Sequence, residues 1–318
     1  MTAHMIAIAL AVVIDRIIGD PRWLPHPVVG FGKLIAFFDK HLNYGQNRWA
    51  KGFAMLALVL FIVVLLAVGI VWAAYSLHIY FGVLVEAWLI STTIAAKGLK
   101  QAADEVKEPL QNGNLDEARL KLSYIVGRDT DQLNEAEITR GTVETVAENT
   151  SDGVTAPLFF ALIGGAPLAL LYRAINTCDS MVGYQNDKYG EFGFASAKCD
   201  DLFNWIPSRL TSIVMIAVNQ PKLRRSKKAC WEIVKRDAPK HPSPNSGWGE
   251  AAVAALLGIQ LGGMNTYKGI TSNRAKMGDP LVTMSAVHIE ETNAIMLRTT
   301  TVFSLILIAC GGVIVVLT

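Results

Sequence analysis

Apolar and polar positions along the chain fall into long hydrophobic runs joined by polar connections. The clearest run is Phe53 to Ala74, FAMLALVLFIVVLLAVGIVWAA, which contains no charge. About 20 such residues at ~1.5 Å rise cross the hydrocarbon core of a bilayer, so a spanning helix is predicted over 53–74. A second charge-free run, residues 299–318, predicts another. Four weaker membrane segments are expected near 5–19, 83–97, 154–172 and 202–218. Their defects are informative: the first runs into Asp15 and Arg16, the third is interrupted by Gly164, Gly165 and Pro167, and the last carries Asn204, Pro207 and Arg209. Irregular backbone at membrane depth survives only where protein or a water-lined cavity satisfies the freed backbone groups, so broken or re-entrant helices are expected. The first run has no basic stretch before it and no small-residue cleavage site after it, and is expected to be retained.

The polar connections set an orientation. Residues 20–52, 98–152 and 219–298 are rich in Lys and Arg, including KLRRSKK at 222–228, whereas the connection between Ala74 and Val83 has none. The positive-inside rule puts the three basic stretches in the cytoplasm. Region 98–152 reads as helical: Asn112-Gly113-Asn114 is a turn, LDEARLKLSYIV has helical periodicity, and GRDT at 127–130 offers Asp129 or Thr130 as N-cap for a helix carrying Glu135, Glu144 and Glu148. Region 219–298 reads as a cytoplasmic loop region. The expected fold is an all-α, polytopic integral membrane helical bundle with a cytoplasmic helical cap, one unit over 1–318.

Composition strengthens the membrane reading: of 318 residues 52% are hydrophobic and 18% charged, and the net charge is +2, with mean hydropathy +0.34. So small a charge gives no nucleic-acid partner, and KLRRSKK beside a membrane segment is read as an anionic-lipid contact. Cys178, Cys199, Cys230 and Cys310 include no CxxC pair and read as reduced thiols.

Candidate chemistry gathers in a few blocks. In VETVAENTSDGVTAPLFF, at 143–160, Glu144, Glu148 and Asp152 recur every four residues. Like charges so placed repel unless a cation or a cationic partner sits there, which makes them a candidate site. DRIIGDPRWLPHPV at 15–28 sets Asp20, Arg22 and His26 among prolines, either as a shaped functional turn or as a lipid-interface turn anchored by Trp23. YRAINTCDSMVGYQNDKYGEFG at 172–193 carries Arg173, Asn176, Asp179, Asp187 and Lys188, followed by Asp200-Asp201. These residues suit Mg²⁺ and phosphate. KHPSPNSGWGE at 240–250 holds His241, Ser243, Asn245 and Glu250. No GxxxxGK[ST], HExxH or GxSxG motif occurs. The glycine pairs at 164–165, 262–263 and 311–312 read as helix-packing positions.

Six blocks, DRIIGDPRWLPHPV, GRDT, VETVAENTSDGVTAPLFF, YRAINTCDSMVGY, DDLFNWIPSRLT and HPSPNSGWGEAA, together resemble the adenosylcobinamide-phosphate synthases of cobalamin biosynthesis, the CbiB/CobD integral membrane proteins, over residues 8–265. The resemblance implies a ligase that joins aminopropanol or ethanolamine, free or phosphorylated, through an amide to the f propionate of adenosylcobyric acid. The corrinoid is then substrate and not prosthetic group, and ATP and Mg²⁺ are expected to drive an otherwise uphill condensation. In that scheme Glu144, Glu148 and Asp152 hold Mg²⁺, and Asp179 and Asp187 are further ligands or bases. Arg128, Arg173 and Lys188 take phosphate, and His26, His241 and Asn245 meet the corrin or place the nucleophile. Asp20, Asp129, Asn149, Asn176, Tyr184, Asp200, Asp201, Asn204 and Ser243 complete the expected substrate-binding set. The site is expected to face the cytoplasm from the cell membrane, with later pathway enzymes as possible partners, and 154–172 and 202–218 are expected to be broken so that the blocks share one side. A Mg²⁺-dependent transferase on a lipid or diphosphate substrate, or a transporter using Glu86, are the alternatives.

Overall fold

The computed structural model describes residues 2–21 and 26–317, with side chains as far as 313; Arg22 and Trp23 of the proline-rich turn lie outside the described residues. Four helical stretches are long and apolar enough to cross a membrane: Arg48–Leu77, Ile79–Gln111, Glu135–Val182 and Val287–Val313. The expected run 53–74 sits within the first, and the expected terminal run 299–318 overlaps the last, which starts twelve residues earlier than hydropathy alone suggests. Phe61, Leu65 and Trp72 on Arg48–Leu77 stand 64%, 59% and 72% exposed. An apolar side chain so exposed along a whole helix is stable against lipid and not against water.

The chain builds two compact units, each assembled from separated stretches. The first comprises residues 1–95, 152–204 and 304–318. It contains α1 (Thr2–Ile17), α2 (Pro27–Leu42), α3 (Arg48–Leu77), α4 (Ile79–Ser91), α8 (Ala156–Val182) and α9 (Phe194–Phe203). A π-helical turn, Ser151–Thr155, leads into α8. The notable element is α8, which leaves helical geometry at Gly164 and Gly165. In a straight helix Asp152 and Tyr172 would be about 30 Å apart. Here the Tyr172 hydroxyl is 3.1 Å from the Asp152 carbonyl, and the Tyr172 ring stacks on Phe160 at 5.2 Å. The segment therefore folds back on itself as two half-helices, as its glycine pair and Pro167 predicted.

A break of this kind frees amide groups that lipid cannot satisfy. Glu86 of α4, fully buried, supplies the acceptor. Its Oε1 receives the Ala166 N–H at 3.2 Å and lies 2.7 Å from His4 Nδ1, while Oε2 receives the Tyr75 hydroxyl at 2.6 Å. The carboxylate thus caps the second half-helix. Gly165 has φ +63°, and a Cβ there would collide with Glu86 Oε1; only glycine permits both the turn and the cap.

The second unit comprises residues 96–151 and 205–303. It contains α5 (Ala96–Gln111), α6 (Leu115–Ser123), α7 (Glu135–Thr150), α10 (Trp205–Val218), α11 (Lys227–Asp237), α12 (Ser246–Leu257), strands β1 (Leu261–Tyr267) and β2 (Ile270–Met277), and the beginning of α13 (Val287–Leu317). Region 98–152 is helical as expected, but the cap of α7 differs. Asn134 is the N-cap, in a reciprocal capping box with Glu137, whereas Asp129 receives the Lys268 and Gly269 amides at 2.9 and 2.8 Å. That side chain closes the turn between β1 and β2, so its observed role is structural. Within region 219–298, read from sequence as a loop region, the chain forms helices and one short antiparallel β1–β2 hairpin. The pair Gly262-Gly263 is not a helix-packing site; it lies in β1 with φ +82° and +91°. Region 202–218 becomes α9 and a separate 14-residue α10, broken after Asn204. Asp237, buried at the end of α11, accepts the Gly278 amide at 2.9 Å. Burial alone would raise its carboxyl, but Arg236, Lys240 and that amide outweigh burial and hold it down at about 2.

Replacing Glu86 with alanine strands the Ala166 amide and the Tyr75 hydroxyl in an apolar interior, and is expected to cost on the order of 3 kcal/mol. Glutamine retains an acceptor oxygen and should cost less than half as much. Thermal unfolding in detergent checks both; equal losses would show that the cap does not stabilise the hairpin.

Candidate active site

In the second unit the sequence-predicted residues of α7 and of the 240–250 loop come together. Glu144 is buried on α7. Its Oε2 pairs with Arg128 Nη2, and its Oε1 accepts the Gly262 amide at 2.8 Å. Arg128 Nη1 donates to Asn265 Oδ1 at 2.9 Å, and that same oxygen accepts Arg140 Nη2 at 3.0 Å. Arg140 also donates to the Gly262 carbonyl and, at 2.8 Å, to the Met264 carbonyl. Two guanidinium groups and one carboxylate thereby lock α7 to β1. The positive φ of Gly262 and its closeness to the Ala275 carbonyl explain why no side chain stands there.

Glu148, one turn along α7 and half-buried, accepts the Ser246 hydroxyl at 2.7 Å. This contact depends on close helix approach, because a Cβ on Gly249 of α12 would meet the Ala147 carbonyl of α7. Asn149 turns its amide back to the Thr145 carbonyl at 2.9 Å. In the loop, the Ser243 amide donates to His241 Nδ1 at 3.0 Å, and the Ser243 hydroxyl accepts the Asn245 and Ser246 amides at 3.3 Å each. Asn245 Oδ1 accepts Arg209 Nη1 at 3.2 Å, with the Arg209 guanidinium over the Trp205 and Trp248 rings at 4.5 and 4.8 Å. His241 Nε2 faces Glu250 Oε1 at 3.6 Å. Burial, reinforced by Glu144 and Glu148, pushes the Glu250 carboxyl well above the usual range. Burial lowers His241, with Glu148 opposing it. Both shifts favour the neutral form of the group.

The first unit holds a separate polar cluster. Tyr172 Oη donates to Asn204 Oδ1 at 2.7 Å, Asn204 Nδ2 donates to Asp200 Oδ2 at 3.0 Å, and Asn176 Nδ2 donates to Asp200 Oδ1 at 3.3 Å. Arg173 donates to Asn176 at 3.4 Å and feels the charges of Asp20 and Asp152, while its Nε has no hydrogen-bond partner. Asp20 accepts from His26 Nε2 at 3.2 Å, and His26 Nδ1 caps α2 through the Val28 amide. Asp152, Asp20, Arg173, Asn176, Asp200 and Asn204 thus share a neighbourhood. Other predicted residues stand apart from it. Lys188 pairs with Asp39 at 3.1 Å, Asp187 offers its backbone carbonyl to Arg48 at 3.2 Å, Tyr184 is an exposed ring beside Tyr189, and Asp201 pairs with Lys198 at 3.1 Å. Asp179 closes α8, its carbonyl accepting the Gly183 amide at 2.7 Å.

Glu144 and Glu148 belong to one unit and Asp152 to the other. Glu144 already has Arg128 and the Gly262 amide as partners, and among the described residues no three His, Cys, Asp or Glu side chains are grouped to hold a metal ion. A preformed Glu144–Glu148–Asp152 cage does not fit, and the repulsion implied by their spacing is relieved instead by arginine and hydroxyl partners. All four cysteines are free thiols. Arg140, Ser246, Asn265 and Tyr172 are site residues that the sequence pattern did not single out. Arg140 was signalled by its position one turn before Glu144; Asn265 carried no local signal, because only the hairpin brings it to α7.

Comparison with known proteins follows this geometry. The sequence profile described as CobD/Cbib protein matches residues 8–296. A cobalamin biosynthesis protein CobD from Halalkalibacterium halodurans is 58% identical over 318 residues, covering 100% of both chains. CobD from Geobacter metallireducens is 50% identical over 287 residues, 90% of each chain. Cobalamin biosynthesis protein CbiB from Salmonella typhimurium is 44% identical over 317 residues, 96% of this chain and 98% of its own. No solved structure matches.

Removing Arg128 leaves the buried Glu144 carboxylate without its cation, so Arg128→Ala is expected to lose about 3 to 5 kcal/mol, with Arg128→Ala/Glu144→Gln recovering part of that. Denaturation of the three proteins in one detergent decides it; a double variant no better than Arg128→Ala would show that the pair is not coupled.

Proposed function

The chain belongs to the CobD/CbiB family of cobalamin biosynthesis proteins, and from that premise we propose that it is the ligase that amidates the f propionate of adenosylcobyric acid with aminopropanol phosphate or ethanolamine phosphate, or with the free amino alcohol, giving adenosylcobinamide or its phosphate. The observation that carries the reading is similarity to cobalamin biosynthesis proteins along the whole chain, with the shared blocks supplying the buried polar clusters of an otherwise apolar protein. A carboxylate and an ammonium do not condense unaided in water, which supports ATP as the activating reagent, through an acyl phosphate. Mg²⁺ in this proposal arrives with the phosphates of the nucleotide, since the carboxylates present do not make a cage for it.

The chain's own groups suit the remaining tasks. Fixed positive charge offsets the negative charge that grows during phosphoryl and acyl transfer; in the first unit Arg173, whose Nε has no hydrogen-bond partner, is a group of that kind. Glu148 is half-buried, and a carboxylate is a suitable proton acceptor for an attacking amine. The loop of His241, Ser243 and Asn245, fixed by its own backbone bonds, supplies donors and acceptors for the amide-rich corrin edge. Glu86, cited for transport, accepts the Ala166 amide and the Tyr75 hydroxyl and faces His4, which gives it a structural role in the fold. The reacting side is proposed to be the cytoplasmic one, where ATP and the basic connections coincide.

Detergent-purified protein given adenosylcobyric acid, ATP, Mg²⁺ and each amine in turn is expected to show a corrinoid mass gain of one amide with ATP consumed. Glu148→Ala should lower that rate roughly 100-fold or more while remaining folded. No conversion with any amine by folded protein overturns the ligase reading. For orientation, Tyr184→Cys in a chain carrying Cys310→Ser is expected to resist an impermeant thiol reagent in intact cells and to react in inverted vesicles; position 184 is 56% exposed, and efficient labelling from outside would reverse the assignment.

A further inference from the structure

The facing pair His241 and Glu250 is the part of the site that packing alone leaves unexplained. Their side chains are 6% and 2% exposed, and their closest approach, Nε2 to Oε1, is 3.6 Å. Neither of those two atoms has a hydrogen-bond partner. Buried polar atoms are ordinarily satisfied, and a facing pair just beyond bonding distance marks a place where a proton can be gained or lost. The far side of the imidazole is equipped for either state. His241 Nδ1 has the Ser243 N–H at 3.0 Å as donor and the Ser243 carbonyl at 3.2 Å as acceptor. When the ring is neutral Nδ1 can accept from the amide; when it is protonated Nδ1–H can donate to the carbonyl, without movement of the loop.

Burial, the largest influence on His241, opposes its protonation, and the nearby carboxylates offset part of that. Glu144 and Glu148 of α7 act on both groups, with Arg274 of β2 opposing them on both and Arg128 on Glu250. From α10, Arg209 is engaged with Asn245. Beside α11, Asp237 is engaged with Arg236, Lys240 and the Gly278 amide. Glu148 is the half-exposed member of the acidic set, and Ser246 fixes its Oε1.

We propose that the His241–Glu250 pair is where the proton released at the attacking amine comes to rest, entering by way of Glu148. This rests on the amide-ligase reading above. The amine lone pair forms the N–C bond to the activated carboxyl carbon, and the C–O bond to the phosphate breaks. The phosphate leaves with that electron pair. The proton shed by nitrogen passes to the Glu148 carboxylate and then to the imidazole, Nδ1 turning from the Ser243 amide to its carbonyl. In this step His241 and Glu250 act through Glu148.

Two measurements on the full-length protein in detergent test this. The first is stability against pH. A carboxyl held neutral by the fold contributes stability that is fully present below the unfolded carboxyl range and is lost as pH rises through its folded value. The wild type should therefore lose thermal stability with rising pH, and Glu250→Gln, which stays neutral, should flatten that loss. An unchanged slope means that Glu250 holds no proton, and overturns the proposal whatever turnover shows. The second is the pH profile of kcat for amide formation. Glu250→Gln and His241→Gln are each expected to lower kcat roughly 100-fold and displace the acid limb, with KM for the amine changed less than threefold. Folded variants with wild-type limbs and rates overturn the relay while leaving the ligase reading standing. A wild type that forms no amide removes the reading itself, and the relay with it.

Discussion

A bilayer offers no water to a broken helix, and the first unit is arranged around that constraint. α8 stops being a helix at Gly164 and Gly165, where freed amides must find protein acceptors or the segment cannot stay at membrane depth. One carboxylate, Glu86, meets the need by accepting the Ala166 amide, and it is itself held by His4 and Tyr75. Everything carried by the second half-helix depends on this. Tyr172 returns to the Asp152 carbonyl, and Arg173 and Asn176 reach the Asp200–Asn204 cluster, only because the chain reverses direction. A continuous helix of the same sequence would separate Asp152 from Tyr172 by about 30 Å.

The second unit solves a different problem, that of keeping several carboxylates close together. Glu144 is compensated by Arg128 and a backbone amide, Glu148 by a serine hydroxyl, and Glu250 by burial that favours its neutral carboxyl. These are three ways of lowering the cost of burying acids near one another, and they leave Glu148 as the most accessible of the three. Small residues make the arrangement possible. Gly249 lets α12 approach the α7 backbone, and Gly262 lets β1 present its amide to Glu144. The protein takes part in cobalamin biosynthesis with a site built from charges that balance one another before any substrate arrives.

The hydropathy pattern, the interrupted segment at 154–172 and the acidic run from Glu144 to Asp152 were legible along the chain because each depends on neighbours in sequence. Period and length determine which helices suit a membrane, and a glycine pair beside a proline determines where a helix cannot continue. The blocks that carry the family likeness were legible for the same reason. What each acid does was not. Spacing called for a cation or a cationic partner beside Glu144, Glu148 and Asp152 but did not say which: the partners of Glu144 are Arg128 and Gly262, sixteen residues before it and 118 after it. Asp129 looked like a helix cap and closes a hairpin turn instead, because a carboxylate binds whichever amides the tertiary fold brings to it. The hairpin itself, the Asn265 bridge between two arginines and the facing of His241 on Glu250 exist only once distant segments meet. Local chemistry and periodicity are properties of the sequence by itself; charge compensation is a sum over neighbours in space, and only the folded chain decides which neighbours those are.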